Sequence, residues 1–459
     1  SNSIVPITVI KGASHEFIPL PQGENAITAD FHSIRTQTES PAHLTSGFYK
    51  IEAGPEKPAS YNFEETKYVL NGQIDVLDEA TGVTHHLVQG DFAFFYVGSK
   101  VKVCHDPIVS PPYDKELQLA CLAVQRAALL TKELLSAVDK GALDKSDSSP
   151  VTIADFAAQA SIIAAIHNVF PDDDIVGEED ATALRSNPDL LARTWDLATS
   201  IHLNDPESEA LLHTPRTTSE LLDLIDLGAK GACTPTSRTW TLDPVDGTAT
   251  YIRGEQYAVC LSLVENGIQK IGVLGCPNLL ESGPVAEERV DRDGFGQMIS
   301  AVVGQGATIR PMGPGALLPG RPLDRVPQVG DVDVRFIDTR AAKTQDLEAH
   351  ARVAAVLGCP WPNPVDLWSA QMRYVAIAVQ GGCNAFVKVP LSTDYRSKIW
   401  DHAGGMLIVQ ELGCLVTDLE GRPVDCGLGR TLAGCHGMVV GPASVHGRIL
   451  EAVREARGL

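Results

Sequence analysis

Basic runs are missing from this 459-residue chain: Lys and Arg number 37 against 58 Asp and Glu, for a formal net charge of −21. Broad electrostatic binding to nucleic acid needs clustered cations, so that class is excluded. An anionic small molecule is not excluded, because bound cations can reverse the local field. Paired cysteines are missing too. Ten cysteines stand singly, with no C-x-x-C, and several sit in apolar runs. They read as reduced core thiols, not a disulfide frame or zinc site, and point to a cytoplasmic setting. No apolar stretch reaches membrane-spanning length and the N-terminus has no signal-peptide layout, so no membrane partner is expected. What is present is ordinary globular composition, 44% hydrophobic and 21% charged, at a length that suggests two or three domains.

Residues 1–108 read as all-β, with short runs that alternate apolar and polar residues between turns. Tyr68-Val69-Leu70 and the Ile74, Val76, Leu77 run flank Asn71-Gly72, the strongest short-range hairpin signal. Leu87-Val88, a Gly90-Asp91 turn, Phe92 to Val97 and Val101 to Val103 continue the pattern, which predicts a small barrel or sandwich. With Gly47-Phe48-Tyr49, Glu52-Ala53-Gly54, Glu64-Glu65, Asn71-Gly72 and Gly90-Asp91, the region resembles the cupins, in particular the ethanolamine-utilisation-like group. The resemblance implies a cupin-like barrel through which the chain can form oligomers. Catalytic cupins carry a His-x-His pair with a Glu where this chain has Tyr61-Asn62-Phe63-Glu64-Glu65, and a further His where it has Gly98 to Val103. His85 and His86 are adjacent and so point to opposite faces of a strand. The region reads as a binding or packing module.

Asp106 to Tyr113 is Pro-rich and places a linker at 109–113, ahead of a second domain over 114–459 with subdomains dividing near residue 264. Leu117, Ala120, Cys121, Val124, Ala127, Ala128, Leu134, Leu135 and Val138 fall at helical spacing. A second helix starts at Thr152, where Thr152-x-x-Asp155 matches a capping box. Ile175-Val176 reads as a short strand running into Gly177-Glu178-Glu179-Asp180. Tyr257 to Val264 and Ile271 to Cys276 read as strands paired across Glu265-Asn266-Gly267, and residues 283–331, rich in Gly and Pro, as surface loop. Further helices are predicted over Asp346 to Leu357, Ser369 to Gln380, the stretch after Asp401, and Ser444 to Ala456, with a strand over Ala385 to Val389.

The chain is organised around Trp240-Thr241-Leu242-Asp243-Pro244-Val245-Asp246-Gly247-Thr248. An apolar lead-in ends in two aspartates on a turn stiffened by Pro244 and freed by Gly247. Short carboxylates on a rigid turn suit a hard divalent cation, and also suit a surface turn that binds nothing. Three more segments decide between these readings. Asp155, Glu178, Asp243, Asp246 and Asp401 each sit at a strand end or helix start, where α/β folds gather their sites. If they converge, their repulsion calls for cations between them. Two metals roughly 4 Å apart can clamp the attacking and leaving oxygens of a phosphoryl transfer.

The second domain resembles the lithium-sensitive, Mg²⁺-dependent phosphatase superfamily, and within it the 3′(2′),5′-bisphosphate nucleotidases. The matching segments are Ser149 to Gln159, Phe170 to Asp173 with Val176 to Glu179, Leu242 to Thr248, Arg253 to Leu261, Gly275 to Leu279 and Lys398 to Ala403. The resemblance implies an α/β layered sandwich of the inositol monophosphatase/fructose-1,6-bisphosphatase type. It implies hydrolysis of 3′-phosphoadenosine 5′-phosphate to AMP and phosphate with two to three Mg²⁺ ions, and inhibition by Li⁺. Carried over by motif, Glu178, Asp243 and the Val245 carbonyl hold one ion, and Asp243, Asp246 and Asp401 the second. Asp155 and Thr248 activate water beside a third ion, with Glu178 counted among the catalytic groups. Gly247 and Thr248 amides hold the scissile phosphate, and Arg373, Tyr374, Lys388 and Lys398 complete the substrate site.

The chain also departs from the family. The nucleotidases continue Lys-Gly-Phe after Thr248, and this chain has Ala249-Thr250-Tyr251. A family Ser and Lys for the nucleotide's other end are here Ala370 and Arg373, and a His-Ser stretch is here Arg340 to Thr344. Arg373 can replace the Lys; Ala370 cannot donate as Ser does. Two other readings therefore stand beside the nucleotidase: the same chemistry on another phosphorylated small molecule, and a nucleotide sensor without turnover.

Overall fold

The computed structural model describes residues 20–21, 26–35, 43–51, 54–69, 73–88, 91–105, 112–136, 143–144, 150–151, 153–339, 344–362 and 365–458. The chain divides into two compact units, 1–112 and 113–459.

The first unit is built of strands, but its described residues form three separate sheets and not the closed barrel expected. Leu20–Pro21, Ala26–Arg35 and His43–Ile51 make one sheet; Gly54–Ser60, Lys100–His105, Gln73–Asp78 and Val83–Val88 a second; Glu65–Tyr68 and Phe92–Phe95 a two-stranded ribbon. Asn71-Gly72 lies outside the described residues, yet the strands on either side of it do not pair with each other. Glu65–Tyr68 pairs with Phe92–Phe95, whereas Gln73–Asp78 pairs with Val83–Val88 and Lys100–His105. Burial accounts for this choice: Val76, Val101 and Val103 join Tyr61 and Phe95 in one small core, a long-range gain that local turn propensity does not register.

In the second unit, seven strands run in sequence order through one sheet: β1 (Asp174–Gly177), β2 (Arg238–Asp246), β3 (Ala258–Glu265), β4 (Ile268–Cys276), β5 (Gln297–Val302), β6 (Ala307–Pro311) and β7 (Arg321–Pro322). β1 and β2 are parallel and the rest antiparallel. The β3–β4 turn is the expected one, with positive φ at Asn266 (53°) and Gly267 (76°). The sheet runs straight across residue 264, where a division was expected. β5 to β7 fall in the stretch read as surface loop. Every residue of β5 is buried, so core packing outweighs the Gly and Pro around it.

One face of the sheet is covered by α1 (Asp114–Ser136) and α2 (Ile153–Val169), with α3 (Thr218–Lys230) beside α2. The other face carries α5 (Ala370–Ala378) and α6 (Ala403–Glu411). Beyond them lies a three-stranded sheet of β8 (Phe386–Lys388), β10 (Met438–Pro442) and β9 (Cys414–Thr417) in that order. Last come α4 (Leu347–Leu357) and α7 (Ala443–Arg457). Three apolar cores fill the gaps between these five α/β/α/β/α layers. Both faces of β2 and β3 are covered, so these strands are buried along almost their whole length, including the acids at the end of β2. Gly404 and Gly405 let α6 sit close to its neighbours. A Cβ on Gly272 of β4 would come 2.5 Å from the Gly404 carbonyl oxygen, and one on Gly405 would enter the Tyr374 ring of α5. The described cysteines of this unit are free and buried, and no described helix is long and apolar enough to cross a membrane.

Candidate active site

The five acids meet at one place, supplied by four elements. β1 ends at Gly177 and delivers Glu178; β2 carries Asp243 and Asp246 at its end; the first turn of α2 carries Asp155; Asp401 stands two residues before α6. Thr152, the expected cap of α2, lies outside the described residues. Asp155, Asp243 and Asp246 are buried, while Glu178, Asp401 and Thr248 keep exposed edges. The buried three form a floor and the others a rim.

Electrostatics ties them together. Burial pushes the Asp243 carboxyl well above the usual carboxylate range, and the charges of Glu178, Asp246, Asp401 and Asp155 push the same way. Asp401 is pushed up to about 8 by burial and by Asp246 and Glu178, against the pull of Lys388 and Lys398. Among the described residues, no three His, Cys, Asp or Glu side chains stand together in an arrangement that could hold a metal ion as they lie. The acids are neighbours through charge, with separate local anchors. Asp243 Oδ1 accepts from the Val245 amide at 3.0 Å. The Val245 carbonyl accepts from the Thr248 hydroxyl at 3.1 Å. Gly247, at φ 97°, turns the chain from β2 into the short helix Thr248–Ile252.

Asp246 faces the start of α5. Its Oδ2 accepts from Ser369 Oγ and from the Gln371 amide, each at 2.5 Å, and its Oδ1 from the Ala370 amide at 3.3 Å. These bonds, with the charge of Arg373, offset part of the upward push of burial on Asp246. A carboxylate has about four acceptor positions, so capacity for a cation remains. The donor set as a whole is hard oxygen, in excess of the positive charge near it, and so fits Mg²⁺.

Several buried or half-buried side chains that the sequence did not point to hold this arrangement. Gln371 Nε2 donates to the Trp400 carbonyl at 2.8 Å and its Oε1 accepts from the Gly405 amide at 2.9 Å, tying α5 to the Asp401 loop. Gln159 of α2 accepts from the Glu179 amide at 2.9 Å and donates to the Glu179 carbonyl at 2.7 Å. Arg430 donates to the carbonyls of Gly177 and Gly228 and lies over the Trp400 ring at 5.0 Å. The signal for Gln159 and Gln371 is a polar residue at a helix position whose neighbours are all buried.

Next to the acids lies a basic cluster. Arg373 and Lys388 are each 5% exposed, over the rings of Phe386 (5.6 Å) and Tyr395 (5.1 Å) respectively. Burial and the Arg373 charge lower Lys388 to about 8. Lys398 is exposed at the rim, over Trp400. Tyr374, expected to touch substrate, is instead wholly buried, with its hydroxyl 2.8 Å from His402 Nδ1. It follows Arg373 on α5, and successive helix residues point in different directions. Thr344 is described, but Arg340 to Lys343 lie outside the described residues.

The mutual push among the acids sets a pH response for the metal-free protein. The folded state keeps protons on Asp243 and Asp401 that the unfolded chain loses near its ordinary carboxylate pKa, so stability falls as pH rises toward 8. After chelation, the melting temperature is expected to drop from roughly pH 4 to pH 8. Added Mg²⁺ is expected to raise it, most at the upper end. A metal-free melting temperature that climbs across that window would contradict the crowding of these carboxylates.

Residues 113–457 match the model of the inositol monophosphatase family. The chain is 41% identical over 350 residues to a 3′(2′),5′-bisphosphate nucleotidase of Emericella nidulans, covering 75% of this chain and 98% of that protein. It is 35% identical to a 3′(2′),5′-bisphosphate nucleotidase of Schizosaccharomyces pombe, over 74% of this chain and 95% of that one. To a 3′,5′-bisphosphate nucleotidase of Arabidopsis thaliana it is 32% identical, over 75% and 97%.

Proposed function

The chain belongs to the inositol monophosphatase family, and from that premise we propose that its second unit is a Mg²⁺-dependent phosphomonoesterase. It removes the 3′-phosphate of 3′-phosphoadenosine 5′-phosphate or a related nucleotide, leaving AMP and phosphate. The observation that carries this reading is Asp243, buried among four other acids whose charges only cations can balance. The substrate class is supported by the relatives' names and by two buried cations, Arg373 and Lys388, set beside those acids.

Glu178, Asp243 and the Val245 carbonyl would hold one Mg²⁺, and Asp243, Asp246 and Asp401 a second. Bound there, the ions supply positive charge against the phosphoryl oxygens and make water a better acid. Asp155 takes the proton of the attacking water, which the Thr248 hydroxyl orients. The amides of Gly247 and Thr248 hold the scissile phosphate, and Arg373 and Lys388 take the second phosphate by charge-assisted hydrogen bonds. Lys398, exposed at the rim, meets the incoming anion.

Ala370 favours a second reading, a shifted substrate. It gives Asp246 its amide but has no side-chain donor for a phosphate. Phosphate release with Mg²⁺ from 3′-phosphoadenosine 5′-phosphate, 3′-AMP, 5′-AMP, inositol 1-phosphate and inositol 1,4-bisphosphate separates the two. A clear preference for the first is expected. Preference for an inositol phosphate would move the assignment to the shifted substrate, and nucleotide binding without turnover to a sensor.

A further inference from the structure

We propose that His402 and Tyr374 are positioning residues that aim the Lys388 ammonium at the second phosphate of the substrate, and so set the preference for a bisphosphate over a monophosphate. The inference rests on the nucleotidase reading above.

Lys388 is buried, and a buried ammonium has three protons to place. Ser397 Oγ accepts one at 2.9 Å, and His402 Nε2 stands 3.3 Å from Nζ. An ammonium only donates, so Nε2 must be the unprotonated nitrogen of a neutral ring. The ring proton then sits on Nδ1 and is donated to Tyr374 Oη at 2.8 Å. Tyr374 in turn donates its own proton to Met438 Sδ at 3.0 Å. This is the one proton pattern that satisfies Lys388, His402, Tyr374 and Met438 together. The opposite tautomer sets an N–H against the ammonium.

The relay is held rigidly. Gly405 leaves room for the Tyr374 ring, which also meets Phe386 edge-on at 5.0 Å and His402 edge-on at 5.9 Å. Two of the three Lys388 protons are thereby fixed in direction, and beyond the face of the Tyr395 ring, 5.1 Å from Nζ, the third is the one a ligand can accept. Arg373 opposes the Lys388 charge while Asp401 and Asp246 favour it, so Lys388 stands between the acids and a second cation, where a ligand phosphate would add to the charge that balances the pair. The side-chain hydrogen bonds of Tyr374 and His402 run to each other, to Met438 and to Lys388. The two residues act through Lys388, and their loss is felt only where a second phosphate is bound.

The test compares kcat/KM for 3′-phosphoadenosine 5′-phosphate with that for 3′-AMP, which lacks the second phosphate. In His402→Leu the ratio is expected to fall about tenfold or more, carried by KM of the bisphosphate. In Tyr374→Phe it is expected to fall severalfold, and His402→Gln, which keeps an acceptor, to recover part of it. A purely structural role would lower both substrates alike and leave the ratio unchanged; that result overturns the proposal. Tyr374→Phe, which keeps the packed ring, decides the matter if His402→Leu does not fold. A wild-type protein with no preference for the bisphosphate would overturn the nucleotidase reading and this inference with it; a wild-type preference with unmoved ratios overturns the inference alone.

Discussion

Asp243→Asn is expected to lower phosphate release by roughly a thousandfold or more while raising the melting temperature of the metal-free protein. The two effects have one cause. Asp243 is the carboxylate on which burial and the charges of Glu178, Asp246, Asp401 and Asp155 all converge. Removing its charge relieves that repulsion in the empty site. Asparagine keeps an oxygen to accept from the Val245 amide, so the turn after β2 survives. The same substitution would take away the carboxylate proposed to be shared between two Mg²⁺ ions, so the thermal gain from added Mg²⁺ should largely disappear. Activity assays and melting curves with and without Mg²⁺ check both halves. Retained turnover would remove Asp243 from the metal site. A metal-free variant less stable than the parent would mean that Asp243 is held by something other than its acid neighbours.

Arg373→Ala is expected to cost kcat/KM for 3′-phosphoadenosine 5′-phosphate on the order of a hundredfold, and that for 3′-AMP far less. Arg373 lies buried beside Lys388, close enough to Asp246 of the floor for its charge to act on that carboxylate. Arg373→Lys keeps the charge but loses the bidentate fork, so an intermediate loss is expected, about tenfold. Steady-state kinetics on the two substrates measures this directly. Equal losses on both would show that Arg373 supports the fold of α5 and does not read the second phosphate.

The second unit was legible in the sequence to differing degrees. The β1–Glu178 and β2–Asp243 junctions could be read because a buried strand that ends in acids stands out from its apolar run. The β3–β4 hairpin could be read because Asn-Gly fits positive φ. β5 to β7 could not, since Gly and Pro between short strands look the same in a loop and in a sheet held by its neighbours. In the first unit the strands were legible but their partners were not: Glu65–Tyr68 finds Phe92–Phe95 across more than twenty residues of chain, beyond the reach of any turn signal. At the site, the five acids announced themselves by motif. Gln159, Gln371, His402 and Arg430 did not, because a buried polar group is explained only by the partner it meets in space. Tyr374 was misplaced for a related reason. It neighbours Arg373 in sequence but faces the core, where it holds His402.

The most direct test of the account is to follow 3′-phosphoadenosine 5′-phosphate and Mg²⁺ by ³¹P NMR as phosphate is released. The arrangement of acids beside Arg373 and Lys388 predicts that the 3′-phosphate leaves, the 5′-phosphate stays, and AMP accumulates only while Mg²⁺ is present. Accumulation of 3′-AMP, or turnover undiminished after chelation, would contradict it.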